Sequence, residues 1–201
     1  MTVIGIGGRL RAGKDEVAKI LGREHDYVVM GMSDPLREHL RIVNPWIKVT
    51  LREAWRLRIR PGFHRAADLL QRLGYTEAKT VRDLREFMQR DGTEGGRKFF
   101  GENVWVDKLR SMIQEDIDDG FDVAITGLRY PNEITMIEDL GGATVWVHRP
   151  GVEAPSVAAG SHSSENSVGE ADFEYAVDNV GTLVDLSLVV DELVRFIGRR
   201  S

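Results

Sequence analysis

Cysteine is absent from the 201-residue chain, which excludes disulfides, thiolate metal sites and a cysteine nucleophile and suits a cytosolic protein. An excess of positive charge is absent too. With 27 Lys and Arg against 32 Asp and Glu, the formal net charge of −5 argues against broad, sequence-independent nucleic-acid binding and favours small anionic ligands held in a local basic cleft. No apolar run reaches membrane-spanning length, the N-terminal segment reads as a functional loop rather than a signal peptide, and no internal repeat is visible. His and carboxylates do not cluster as a zinc site requires. What is present, 42% hydrophobic and 29% charged residues over 201 positions, describes a globular chain with one substantial core. It reads as a single domain, 1–201, with room for a small inserted subdomain.

The most informative segment comes first. Val3-Ile4-Gly5-Ile6-Gly7-Gly8-Arg9-Leu10-Arg11-Ala12-Gly13-Lys14-Asp15 joins a short apolar strand to a glycine-rich turn and a lysine. Gly8, Gly13 and Lys14 stand at the G-x-x-x-x-G-K spacing. Backbone N–H groups of such a loop, including those of Arg11, Ala12 and Gly13, converge on a nucleotide phosphate while the Lys14 ammonium reaches the β and γ oxygens. The segment after it, Asp15 to Glu24, carries Val17, Ala18, Ile20 and Leu21 on one helical face. Asp15 occupies the position where a Ser or Thr hydroxyl normally meets Mg²⁺, and a carboxylate there can hold the ion directly or through water. No Asn-Lys-x-Asp guanine-reading motif accompanies the loop, which disfavours a GTPase switch.

Short apolar runs at Thr2 to Ile6, Asp122 to Thr126 and Ala143 to Val147 suit buried parallel strands, with Tyr27 to Met30 and Phe173 to Val177 as further candidates. Their alternation with helical patterns predicts a layered α/β fold with crossover connections. A long helical block from about 34 to 119 is broken near Asn44-Pro45, Arg60-Pro61-Gly62 and Asp91-Gly92. It is rich in arginine, which in part forms a solvated face and in part could clamp phosphate, and its Leu69, Leu70, Leu73, Leu84, Phe87 and Met88 form core. The stretch 149–170 shifts to Gly, Pro, Ser, Ala and Glu and reads as a loop or lid. Thr182 to Gly198 should be a helix packed on the sheet.

Several separated segments combine in order: the loop Gly8 to Asp15, Ser33-Asp34-Pro35-Leu36-Arg37, Arg85 to Arg97, Val104-Trp105-Val106, Leu128-Arg129-Tyr130-Pro131-Asn132-Glu133 and Ser161-His162-Ser163-Ser164-Glu165-Asn166. Over most of the chain this set resembles the deoxynucleoside monophosphate kinases of bacteriophages. The resemblance implies a P-loop kinase-like parallel sheet flanked by helices, with a helical monophosphate-binding insertion at about 34–119 and a lid at about 149–170. It also implies ATP as phosphoryl donor, Mg²⁺ as cofactor, a deoxynucleoside 5′-monophosphate as acceptor and a location in the cytoplasm, that of the host if the chain is phage-encoded. It leaves a homodimer open, and neither a membrane nor a stable nucleic-acid partner is expected.

Phosphoryl transfer needs two phosphate sites. The loop supplies the donor side, with Arg149 at the lid's entrance placed to meet donor phosphate or adenine. Arg37, Arg85 and Arg97 are the acceptor-side candidates, and Arg97 leads them because it follows the glycines 92, 95 and 96; a cap or surface ion pair is its bland alternative. Gln89 and Thr93 lie close enough in sequence to read base or sugar. Trp105 stacks on a base or, with Val104, Val106 and Leu109 around it, belongs to the core. Arg129 follows a predicted strand at the edge where α/β sheets gather ligands, and with Lys14 and Arg97 it completes the expected catalytic set. Asn132 and Glu133 serve function or start the helix after Pro131. His162 and Glu165 match the lid motif. One departure stands out: the family usually has Asp two positions before the arginine, whereas this chain has Gly127, which makes Asp15 the expected metal residue. The residues alone leave open a P-loop kinase for another small phosphorylated metabolite, or a nucleotide-binding switch without transfer.

Overall fold

A computed structural model describes residues 1–152 and 167–199. The chain divides into two compact units, one formed by Met1–Met32 with Val106–Ser201 and the other by Ser33–Trp105. In chain order the strands are β1 (Val3–Gly8), β2 (Val28–Gly31), β3 (Trp46–Val49), β4 (Gly62–Arg65), β5 (Val123–Leu128), β6 (Ala143–His148) and β7 (Tyr175–Asp178). The helices are α1 (Lys14–Glu24), α2 (Asp34–Val43), α3 (Leu51–Leu57), α4 (Ala66–Ala78), α5 (Arg82–Arg90), α6 (Lys98–Phe100), α7 (Val104–Asp118), α8 (Pro131–Asp139) and α9 (Leu183–Gly198). None of the described helices is long and apolar enough to cross a membrane.

The first unit is a five-stranded sheet of order β2-β5-β1-β6-β7 in which every neighbouring pair is parallel. The five apolar runs of the sequence are its five strands. Strands buried on both faces read as continuous apolar runs, and here Ile4 and Ile6 face α1 and α9 while Val3 faces the side packed by α7 and α8. Both isoleucines are fully buried, a burial worth about 1.5–3 kcal/mol each. α9 begins at Thr182, whose hydroxyl accepts from Asp185 N, while Asp185 accepts in return from Thr182 N at 2.7 Å. The chain leaves β1 first toward β2 and β5 and later toward β6 and β7. The carboxyl end of β1 is therefore the switch point at which such sheets bind ligands.

The second unit departs from the all-helical expectation. Between the breaks at Asn44-Pro45 and Arg60-Pro61-Gly62 the chain forms an antiparallel pair, β3 with β4, linked through α3. Its strands are four residues long and alternate, with Ile47 and Val49 buried beneath exposed Trp46 and Lys48, too short a period-two pattern to stand out among helices. Leu40, Ile47, Val49, Leu69, Leu84 and Met88 share the core, with Leu73 and Phe87 partly buried against it. Glu53 closes a capping box with Thr50 and accepts from Arg82 N at 2.8 Å, joining the starts of α3 and α5. Burial works to raise its pKa, but the hydrogen bonds from Arg82 N and Thr50 outweigh that and hold the carboxyl below its ordinary value.

The expected break at Asp91-Gly92 is a correction of another kind. The chain does not turn there: α5 continues into a π-helical segment, Asp91–Arg97, and then α6. The glycines serve close packing. A methyl group at Gly96 would lie 2.5 Å from Trp105 Cζ2, and the Trp105 indole N–H donates to Gly92 O at 2.8 Å.

Candidate active site

The loop after β1 is built as the sequence pattern requires. Gly13, with φ of 100°, caps α1 in a left-handed conformation that side chains rarely adopt, and Arg11 also has positive φ, 67°. Lys14 opens the helix and is buried, with Nζ 3.4 Å from Arg9 O. The loop thus presents a lysine and the N-terminal end of a helix at the sheet's switch point, the combination that suits a phosphate.

Asn179 holds this loop from the side. Its Nδ2 donates to Ala12 O at 2.8 Å, and a methyl group on Gly13 would strike the same Nδ2 at 2.2 Å. Sequence reasoning missed Asn179, although a signal was there: it follows the predicted strand ending at Val177, just as Arg129 follows β5. Its backbone N–H donates to His148 O at 2.8 Å, and the exposed His148 ring meets Asp178 at 3.0 Å, so the ends of β6 and β7 are tied beside the loop.

Asp15 is exposed, and its Oδ1 accepts from Thr126 Oγ1 at 3.0 Å. A carboxylate and a hydroxyl side by side are hard oxygen donors of the kind Mg²⁺ takes while retaining most of its water; no group of three potential metal-ligating side chains occurs among the described residues. Immediately beyond Thr126, Gly127 is the extra residue of a bulge, since Ile6 pairs with Thr126 but Gly7 with Leu128. Its φ is 91°. The departure at this position therefore has a backbone cause: a left-handed bulge displaces the strand end and favours glycine.

Arg129 lies exposed just past β5, with its backbone N–H bound to Glu133 Oε2 at 2.6 Å. Glu133 also accepts from Tyr130 N at 3.2 Å and is buried at the start of α8, so its geometry is that of a helix cap. Arg149 is exposed after β6. His162 and Glu165 lie outside the described residues. Part of the expected loop at 149–170 is anchored: Val168 is buried with Trp146 and Phe173 in the core between the sheet and α7 and α8. A single valine among polar residues gave no period to detect it by.

In the second unit the acceptor-side candidates lie on two stretches of chain, α2 and the run from α5 through the π segment. Arg85, Gln89, Thr93 and Arg97 follow one another at steps of four along the run from α5 through the π segment, hence on one stripe, the first three exposed and Arg97 half-buried. The adjacent stripe, Leu84, Met88, Gly92 and Gly96, faces inward, with Gly92 against Leu36 and Gly96 against Trp105. Trp105 thus supports the stripe from behind, its ring 5.6 Å from that of His39. Arg37 lies on α2, ion-paired with Asp34 and stacked 4.2 Å from the centre of the Tyr75 ring.

The parallel sheet, its flanking helices and the lysine-bearing loop at the switch point define a P-loop α/β protein. Its fold is similar to that of TT1252 from Thermus thermophilus, with 19% identity, 97% of each chain covered and a TM-score of 0.50. It is also similar to a sugar kinase from Janibacter sp. HTCC2649, at 10% identity over 98% of this chain and 95% of that one with a TM-score of 0.49. A dephospho-CoA kinase from Campylobacter jejuni gives 10% identity, 98% and 97% coverage and a TM-score of 0.47. At these identities the likeness is one of fold alone. No family model and no curated protein matches the chain.

Proposed function

We propose that this protein transfers the γ-phosphoryl group of ATP to a deoxynucleoside 5′-monophosphate. The observation that carries the reading is the loop Gly8 to Lys14, whose left-handed Gly13 and buried Lys14 suit the phosphates of the donor. Lys14 neutralises charge on the β and γ oxygens, and the amides of the loop orient the same groups. Asp15 and Thr126 would hold Mg²⁺, which supplies charge neutralisation on the phosphates. Arg129, at the carboxyl edge of the sheet, adds a cation that bears on the transferring group. Arg85 and Arg97, with Gln89 and Thr93 between them on one stripe, suit an acceptor that carries both a phosphate and hydrogen-bonding base edges. The acceptor phosphate already presents an anionic oxygen, so no general base is needed; positioning and electrostatics supply the catalysis.

The choice of a deoxynucleotide acceptor rests on the sequence resemblance. It is tested by coupled assay of ADP formation with ATP, Mg²⁺ and a panel of deoxynucleoside and ribonucleoside monophosphates. Acceptor-dependent ADP release with one or more deoxynucleotides is expected. ATP turnover indifferent to every nucleotide offered, or seen only with another phosphorylated metabolite such as dephospho-coenzyme A, would reject the acceptor assignment while leaving the donor site standing.

A further inference from the structure

The residues between Trp46 and Arg65 invert the charge of the chain that contains them. Lys48, Arg52, Arg56, Arg58, Arg60 and Arg65 stand there against the single acid Glu53, an excess of five positive charges in a protein whose net charge is −5. The same stretch holds two of the four tryptophans. Its rings are turned outward: Trp46 is 58%, Trp55 86% and Phe63 66% exposed.

The arrangement of these groups is regular. Ile47 and Val49 point inward from β3, so the outer face of the ribbon consists of Trp46 and Lys48 opposite Arg65 and Phe63. Ring and cation therefore alternate along each strand and across the pair, and the Arg65 guanidinium already stacks on Trp46, 4.3 Å from the ring centre. On α3, which follows directly, Leu51 and Trp55 form one exposed stripe at a step of four and Arg52 and Arg56 form the next. Arg56 is anchored by donating to the carbonyl and hydroxyl of Thr80 at 3.1 and 2.9 Å. Trp55, Arg56 and Arg58 line a concavity of about 640 Å³ floored by Ala54 and Ile59.

We propose that the outer face of the β3–β4 ribbon together with α3 is a docking surface for single-stranded nucleic acid, the rings stacking on bases and the arginines and Lys48 following the phosphates. Aromatic platforms set among cations are the means by which proteins hold single strands without reading sequence. An acidic peptide would satisfy the cations and leave three rings wet. A bilayer surface is met by rings gathered on one face with the cations segregated to another, whereas every ring of this ribbon has a cation for its neighbour. Duplex nucleic acid hides the base faces that the rings would meet. The low net charge of the whole chain, which speaks against general nucleic-acid binding, conceals this local excess. This surface shares no residue with the transfer groups assigned above.

The test is fluorescence anisotropy of a labelled oligothymidylate of about 20 nucleotides titrated with the full chain. Three results are expected. The strand binds at low salt with quenching of tryptophan emission, and its affinity falls about tenfold or more between roughly 50 and 200 mM salt. Trp55→Ala with Phe63→Ala, which preserves every charge, weakens binding by about tenfold or more. Arg58→Ser with Arg60→Ser flattens the salt dependence. Circular dichroism verifies each fold; should the double ring variant fail to fold, Trp55→Leu, at a position already 86% exposed, replaces it. Three results would overturn the proposal: no binding at low salt, ring variants that bind as the parent does with duplex bound equally well, or binding to anionic phosphatidylglycerol vesicles that the oligonucleotide does not compete.

Discussion

Lys14 owes its expected effect to its surroundings. It is buried at the start of α1 in a loop fixed by a left-handed glycine, so Lys14→Ala should leave the fold intact while lowering transfer by roughly 10²–10³, the usual effect of removing one preorganised charge. Single-turnover kinetics on the folded variant checks this. Asn179 should act more mildly, because its side chain bonds to the backbone of the loop, at Ala12 O. Losing one ordinary hydrogen bond, worth about 0.5–1.5 kcal/mol, predicts that Asn179→Ala raises the KM for ATP several-fold with kcat little changed. Asn179→Asp, which cannot donate to Ala12 O, should be worse. Asp15→Asn should raise the Mg²⁺ concentration needed for half-maximal transfer; an unchanged metal requirement would remove Asp15 from the metal's surroundings. Installing Gly127→Asp to compensate should fail, since φ of 91° at the bulge charges a side chain about 1–2 kcal/mol, visible as a lowered denaturation midpoint.

Secondary structure elements differ in how plainly they were written in the sequence, and the differences have causes. The five parallel strands were legible because burial on both faces demands unbroken apolar runs, and α1 and α9 because a single apolar stripe recurs at helical spacing. The β3–β4 pair and the π segment were not legible. Four-residue strands offer too few alternations, and the glycines at 92, 95 and 96 read as a turn although two of them are contact surfaces for Leu36 and Trp105. Gly96→Ala should therefore destabilise the second unit by about 1–3 kcal/mol, as overpacking does, with greater loss of amide protection along Asp91–Arg97 than in the sheet. Of the candidate site, the loop was legible from its spacing; Asn179 left only the hint of following a strand run and Thr126 left none, because each joins the site through tertiary contact. The capping boxes carry a pH signature. Hydrogen bonds from Thr182 hold the Asp185 carboxyl below its ordinary value, and those from Arg82 N and Thr50 do the same for Glu53 against the effect of burial. Depressed carboxyls stabilise above their unfolded pKa of about 4 and lose that contribution as pH falls through the lower folded value. Glu53→Gln and Asp185→Asn should thus lower stability near neutrality and flatten its decline below pH about 4, measurable in urea titrations at several pH values.

For the whole molecule, the order of its parts along the chain sets an order in time. The second unit is one uninterrupted stretch, Ser33–Trp105, whereas the first is made of two pieces on either side of it. Val3 of β1 has its partner at Val123 and Ile4 has one at Ala143, so the central strand of the sheet must wait for more than half the chain before it has any neighbour. Contacts this distant in sequence are slow to form, and domains tend to complete as units while synthesis proceeds from the N-terminus. During translation the second unit can close its own core, whose buried members all lie between Leu40 and Met88, while β1 and the glycine loop remain unpaired. The loop proposed to bind phosphate is consequently among the last parts of the nascent protein to be completed. Chains arrested before β6 should show a protease-resistant fragment of the second unit and no retention on immobilised ATP.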